Sequence, residues 1–270
     1  MDKTLKQKFR QPFGFYMENL IGKHFELNGI FTLYHTHFYA YEWGLDIMDE
    51  DLDQLRSFLR VLEVNTDKLK ESVFDILKEH RHYNDKSFKN SINTAFSTKD
   101  DDELFEKKII LLAISLEVSS NRIELLRIQD HRLIVSEIKS QFGPKVDHRI
   151  EINRTQLKLL LKSAKNNVGA SLLYTIALPK PMFIEIPIEE LYDKFYGYND
   201  FDGFEFTNYD WSSLRMRIPK KFRSVNGFTM VDRSLYDYND EPTLYNSILD
   251  SFPGKFLRLK EYRKKNPKGF

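Results

Sequence analysis

The sequence contains no cysteine among its 270 residues. This absence excludes disulfide bonds, thiolate metal ligands and a cysteine nucleophile. It agrees with a reducing compartment, and we expect a cytoplasmic protein. No run of about 18 apolar residues is present, so no membrane contact through a spanning helix is predicted. The residues after position 8 are aromatic and polar, which is not the pattern of a secretory signal.

The common fingerprints of nucleotide-binding and hydrolytic enzymes are missing as well. The sequence has no G-x-x-x-x-G-K-[ST], no G-x-G-x-x-G and no G-x-S-x-G motif. No reaction is predicted on this basis, catalytic residues stay unassigned and no cofactor is expected. Whether the protein is an enzyme stays open at this point.

The composition supplies enough apolar material for a folded core, with 41% hydrophobic and 14% aromatic residues. The residue pattern changes after Gly143-Pro144. We therefore expect an α+β protein with a mostly helical domain over residues 1–143 and a mixed, basic α/β domain over residues 144–270.

The first half shows mainly helical periodicity. Residues 31–41 are β-prone, but helices are predicted from Asp49, from residue 65 or 66, and from the acidic run at residues 100–103. A further helix is predicted up to residue 142 from an apolar stripe that continues the spacing of three and four, formed by Ile123, Leu126, Leu133, Ile134 and Ile138. Together these segments predict a bundle of about four helices over residues 49–142.

The second half mixes helix and strand signals. Asn153 and Gln156 resemble a capping box at the start of a helix over residues 153–166. A strand is predicted over residues 182–186, a helix after Pro187, and a hairpin around Asn226-Gly227. This order resembles a winged helix whose recognition helix falls between residues 200 and 217. The alternation of residues 214–218 favours a strand instead, and both alternatives stay open.

The charge is concentrated near the carboxyl end. Residues 211–270 hold 13 Lys and Arg against 6 Asp and Glu, whereas residues 41–110 hold 11 against 17. Clustered cations attract phosphate polyanions, so the leading hypothesis is nucleic-acid binding. The candidate phosphate contacts are Arg215, Arg217, Lys220, Lys221, Arg223, Lys255, Arg258, Lys260, Arg263, Lys264 and Lys265.

Two other classes of function compete with this hypothesis. The acidic and basic regions could meet each other or a partner, which predicts a protein-interaction module or a homo-oligomer. A metal-dependent hydrolase is the third class, because His35 and His37 would share one face of a strand. Half-buried histidines of this kind more often bond to the backbone, so no metal site is assigned.

Two further sequence patterns do not lead to a functional assignment. Glu137-Ile138-Lys139 has the ExK spacing of one nuclease class, with Asp130 seven residues upstream. Because the neighbouring spacing predicts a helix, which would separate the pair, we interpret the match as a coincidence. Residues 38–41, 96–98 and 188–195 resemble short segments of RteC-type regulators of conjugative elements, and we assign no family on these fragments.

Overall fold

The computed structural model describes residues 3–34, 48–71, 90, 96, 102–119, 123–141, 148–176, 181–192 and 213–235. Its helices are α1 (Lys3–Leu27), α2 (Asp49–Val61), α3 (Thr66–Glu71), α4 (Asp102–Ser119), α5 (Arg154–Lys165) and α6 (Glu189–Tyr192). Its strands are β1 (Phe31–Tyr34), β2 (Leu125–Gln129), β3 (Arg132–Gln141), β4 (Arg149–Asn153), β5 (Gly169–Ile176), β6 (Met182–Pro187), β7 (Ser213–Arg217) and β8 (Thr229–Met230). The α+β prediction is confirmed.

Six of these strands form one mixed sheet in the order β1-β2-β3-β5-β6-β8. All neighbours are antiparallel except β3 and β5, which run parallel. A parallel pair needs a crossover connection, and α5 supplies it. The remaining strands, β4 and β7, pair with each other as a two-stranded antiparallel ribbon.

Helices cover both faces of the sheet. On one face, α1 packs Met17, Leu20 and Ile21 into a cluster that includes the odd-numbered Leu125 of β2 and Leu173 of β5. On the other face, α2, α4 and α5 pack into the larger cluster, which includes alternate residues of the same strands. Successive strand residues point to opposite faces, so a strand covered on both sides must be apolar in both registers.

The prediction of a helix over residues 123–142 is wrong. These residues form the hairpin β2–β3, in which Leu125 pairs with Ser136 and Gln129 with Arg132. Asp130 and His131 make the turn with φ angles of 51° and 57°. Positive φ at both central residues is the requirement of a tight two-residue hairpin turn. The predicted four-helix bundle is therefore not confirmed, although α2, α4 and the start of α3 match their predictions.

Several predictions for the second half are confirmed. Helix α5 begins after Asn153, whose Oδ1 accepts a hydrogen bond from the backbone N–H of Gln156 at 2.8 Å. Strand β6 covers the predicted residues 182–186. Strand β7 (Ser213–Arg217) confirms the strand alternative for residues 214–218 as far as Arg217.

The hairpin predicted at Asn226-Gly227 is wrong. Val225–Gly227 is a single 3-10 turn, and β8 pairs with β6 instead of with residues 222–225. A winged helix is not confirmed, and residues 200–212 of its predicted recognition helix lie outside the described part of the chain. Strands β3 and β5 come from the two sides of the predicted boundary at residue 143, and the division into two domains stays a prediction.

The helices of the described residues include none that is both long enough and apolar enough to cross a membrane.

Helix α1 approaches β1 closely at Gly22. A Cβ atom at this position would lie 2.3 Å from Cδ1 of the buried Tyr34 ring. We expect Gly22→Ala to lower the free energy of unfolding by about 1–3 kcal/mol, because the helix or the ring must move. Gly14→Ala in the same helix is the matched control, since its Cβ would lie 3.7 Å from the nearest atom, on Glu18.

Urea denaturation of both variants measures the difference. Alanine is the better helix former by about 1 kcal/mol, so Gly14→Ala should be neutral or stabilising. Equal stability of the two variants would contradict the close approach of α1 to β1.

Candidate active site

Strand β3 continues past the point where β2 stops. The last pair between them is Leu125 with Ser136, whereas β3 and β5 stay paired as far as Gln141 with Ile176. The backbone N–H of Ile138 donates to Oε2 of Glu124 at 2.6 Å, in the place where a longer β2 would have accepted it. A side chain thus replaces the missing strand, because a buried N–H needs an acceptor.

This replacement brings two carboxyl groups together. Glu124 lies one position beyond the last β2–β3 pair, directly opposite Glu137, and the two carboxyl groups are in hydrogen-bonding contact. Lys139 shares the face of Glu137, and its Nζ donates to Oε1 of Glu137. The side chain of Glu137 is 3% exposed and that of Lys139 is 20% exposed, so the group opens to solvent on the lysine side.

Helix α5 contributes Gln156 to the same place. Its Nε2 donates to Oε1 of Glu124 at 3.1 Å. The capping box that the sequence predicts is thus half formed, because Asn153 caps the helix but the Gln156 side chain turns to Glu124 instead of back to the cap. Both oxygens of Glu124 accept a hydrogen bond, which fixes its orientation.

Glu18 of α1 adds a third carboxyl group. Burial, and next the charge of Glu124, raise the pKa of Glu18 to about 8 from the usual 4.5. Burial and the same neighbour raise the pKa of Glu137 well above its usual range. Burial would lower the pKa of Lys139, but the carboxylates of Glu137, Glu124 and Glu18 together outweigh it and raise this pKa. The three carboxyl groups therefore share the positive charge of one amine, that of Lys139.

No family model, curated protein or solved structure matches this chain.

The interpretation of the ExK spacing as a coincidence depended on a helix, and the structure removes that reason. Glu137 and Lys139 stand on one face of β3. The acidic partner is Glu124, because Asp130 occupies the turn at the other end of the hairpin. Sequence reasoning missed Glu18, Glu124 and Gln156. Glu124 could have been found from the hairpin register, since it lies as far before the turn as Glu137 lies after it.

Five of the predicted phosphate contacts lie in the described part of the chain. Arg217, Lys220 and Lys221 are exposed at the end of β7 and just after it, with Lys221 in an ion pair with Glu190. Arg223 is half-buried, and its Nε donates to the carbonyl oxygen of Ile218 at 2.6 Å. Arg215 lies on β7 in register with Glu151.

The remaining predicted residues lie outside the described part of the chain. They are Lys255, Arg258, Lys260, Arg263, Lys264, Lys265, His35 and His37. Within the described ranges, no group of three or more His, Cys, Asp or Glu side chains has the arrangement of a metal site.

The raised pKa of Glu18 makes stability depend on pH. Between about pH 4.5 and pH 8 the folded protein keeps a proton that the unfolded chain releases, so the free energy of unfolding falls as pH rises. The slope from one such group reaches at most about 1.4 kcal/mol per pH unit. We expect Glu18→Gln to flatten the curve over this window, as measured by urea denaturation at successive pH values.

The matched control is Glu189→Gln, which changes an exposed glutamate of α6 and is expected to follow the wild-type curve. If the curve for Glu18→Gln ran parallel to that of the wild type, Glu18 would not be protonated in the folded state at neutral pH.

Proposed function

We propose that the protein is a divalent-cation-dependent phosphodiester hydrolase that acts on nucleic acid. The observation that carries this proposal is the geometry at the free end of β3, where Glu137 and Lys139 share a face and Glu124 lies opposite them. This arrangement joins two of the sequence hypotheses, nucleic-acid binding and a metal-dependent hydrolase, although the predicted histidine ligands have no part in it.

The donor set suits a hard cation. Mg²⁺ is usually held by one or two carboxylates, and water and substrate phosphate oxygens complete its shell. Glu124 and Glu137 supply two adjacent carboxyl groups, and the carboxylate of Glu124 keeps acceptor capacity beyond its two hydrogen bonds. Burial, and next the charge of Glu124, raise the pKa of Glu137, although the charge of Lys139 acts to lower it. A cation bound here would favour the charged form of these carboxyl groups.

Each residue then has a defined task. Glu124 and Glu137 would hold the cation, which would supply polarisation of the phosphodiester and a bound water of lowered pKa. Lys139 stays protonated at neutral pH because its pKa is raised, and its positive charge can stabilise the charge that develops on the phosphate oxygens. Gln156 holds Glu124 in position. Buried apolar side chains of β3 and β5 surround Glu137 and Lys139, so the charges of the site act in a medium of low dielectric constant.

The basic residues support nucleic acid as the substrate. The β4–β7 ribbon is tied to the site at one end through Asn153, which caps the helix that carries Gln156. At its other end lies Arg217, and the exposed Lys220 and Lys221 follow. These exposed cations would attract a polyanion such as nucleic acid, whereas a small neutral substrate would gain nothing from them.

Cation-dependent cleavage is the direct test. With single-stranded and duplex DNA and RNA as probes, we expect cleavage in Mg²⁺ or Mn²⁺ and none in EDTA. Glu137→Gln removes a cation ligand and Lys139→Met removes the positive charge, and each should lower kcat/KM by about 100-fold or more.

Matched controls separate this loss from general damage. Glu189→Gln and Lys165→Met make the same chemical changes at exposed positions of α6 and α5, and both should retain wild-type rates. Cleavage that survives in Glu137→Gln, or a wild-type protein that neither cleaves nor binds Mg²⁺ in calorimetry, would refute the proposal.

The contribution of the basic residues is measured separately by the salt dependence of binding. In the Glu137→Gln background, which prevents cleavage, log affinity should fall linearly with log salt concentration. Replacing Arg217, Lys220 and Lys221 together with Ala should reduce the slope by roughly two to three, because each phosphate contact contributes about 0.9.

The control replaces three exposed lysines of α5, Lys158, Lys162 and Lys165, which are equal in charge but lie outside the ribbon. Equal slopes for both triple variants would remove the ribbon from the binding surface. Salt-sensitive self-association without nucleic-acid affinity would instead favour the protein-interaction alternative.

A further inference from the structure

His148 contacts Tyr174, whose ring lies in the core cluster on the sheet face that α5 covers. Its Nδ1 lies 3.1 Å from the hydroxyl oxygen of Tyr174. Tyr174 is fully buried on β5 and is paired in register with Lys139 on β3. Because paired residues on neighbouring strands point to the same face about 5 Å apart, the tyrosine stands next to the lysine. The imidazole therefore caps the side chain adjacent to Lys139.

The backbone of His148 is held in an unusual conformation. Its φ angle is 55°, in the left-handed region that few residues other than glycine adopt. Its carbonyl oxygen accepts a hydrogen bond from the N–H of Ile218 at 2.9 Å. Such conformations persist only where the surroundings impose them, and they cluster at functional sites.

The tyrosine is itself held in place. Phe228 packs edge-on against the Tyr174 ring, with the ring centroids 6.0 Å apart. The ring contact fixes the hydroxyl, and the hydroxyl fixes the imidazole. This leaves His148 little freedom about its side-chain bonds, which lowers the entropy cost of binding a ligand.

We propose that His148 contacts a phosphate of the nucleic-acid substrate and that Tyr174 is its positioning residue. This inference rests on the proposed function and adds a substrate contact to it. When Nδ1 accepts from the tyrosine hydroxyl, Nε2 across the ring carries the proton and is a donor. A protonated imidazole would add a positive charge as well. Either form complements a phosphate oxygen, which carboxylates alone would repel.

In this proposal, His148 connects the exposed cations at Arg217, Lys220 and Lys221 with the acid pair, so that both act on one strand of substrate. Through its carbonyl, His148 touches Ile218, which sits between Arg217 and Lys220 along the chain. Through its ring, it touches the neighbour of Lys139. A polynucleotide that runs from the cations of β7 toward Glu124 and Glu137 passes this imidazole.

Steady-state cleavage by His148→Asn tests the contact, because asparagine tolerates a positive φ better than most residues. Loss of one charge-assisted hydrogen bond to substrate is expected to raise KM about ten- to hundred-fold with a smaller change in kcat. Tyr174→Phe keeps the ring but removes the hydroxyl that Nδ1 contacts, and a smaller rise in KM is expected.

His131→Asn is the matched control. His131 also has a positive φ, of 57°, but it is exposed in the turn at the other end of β3. Its KM and kcat should equal those of the wild type. A second readout needs no turnover: in the Glu137→Gln variant, an added oligonucleotide should shift the ring-proton resonances of His148 and leave those of His131 in place.

The outcomes separate the two proposals. Cation-dependent cleavage that Glu137→Gln abolishes but His148→Asn leaves unchanged in KM, with no resonance shift at His148, would overturn this inference alone. A wild-type protein without cation-dependent cleavage would overturn the proposed function and this inference with it.

Discussion

A backbone N–H in a protein interior has to find an acceptor, and at Ile138 no strand provides one because β2 has already ended. Glu124 fills that role with a 2.6 Å hydrogen bond. The consequence is electrostatic, since the same bond holds the partly buried carboxyl group of Glu124 opposite the buried Glu137. Burial and mutual repulsion then raise the pKa of Glu137 and of Glu18. The interruption of one strand pair thus produces the most highly charged place in the described core.

A second buried polar group shows what a structural ion pair looks like in this protein. Arg127 is fully buried on the face covered by α1, where it pairs with Glu185 and donates to Ser136 at 2.9 Å. Ser136 in turn bonds Ser171 at 2.8 Å. The positive charge of Arg127 is balanced there by the negative charge of Glu185. The group around Glu137 instead has three acids to one amine, an imbalance that costs stability and that a bound cation would relieve.

The sequence predicted those elements whose signals are local. The acidic first turn of α2 and the Asn153 cap of α5 act within four residues of the helix start, and both predictions are confirmed. The hairpin β2–β3 was missed because helices cover both of its faces. A strand buried on both sides loses the alternation that identifies strands, and its apolar residues then imitate helical spacing. At Asn226-Gly227 the local turn signal is realised as a 3-10 turn, but no hairpin forms because β8 pairs with β6.

Recognition of the candidate site also depended on whether its residues form a helix or a strand. Two residues apart on a helix are separated by about 200° around the axis, whereas on a strand they share a face. The ExK spacing was therefore visible in the sequence but had no meaning until β3 was known to be a strand. Once the Asp130-His131 turn is placed, pairing across it brings Glu124 opposite Glu137, so this partner follows from the hairpin alone. Glu18 does not follow in this way, because α1 ends at Leu27, far along the chain from the hairpin that begins at Leu125, and only the packing of the helix on the sheet brings it there. The hairpin register thus places Glu124, Glu137 and Lys139, whereas the position of Glu18 depends on tertiary packing.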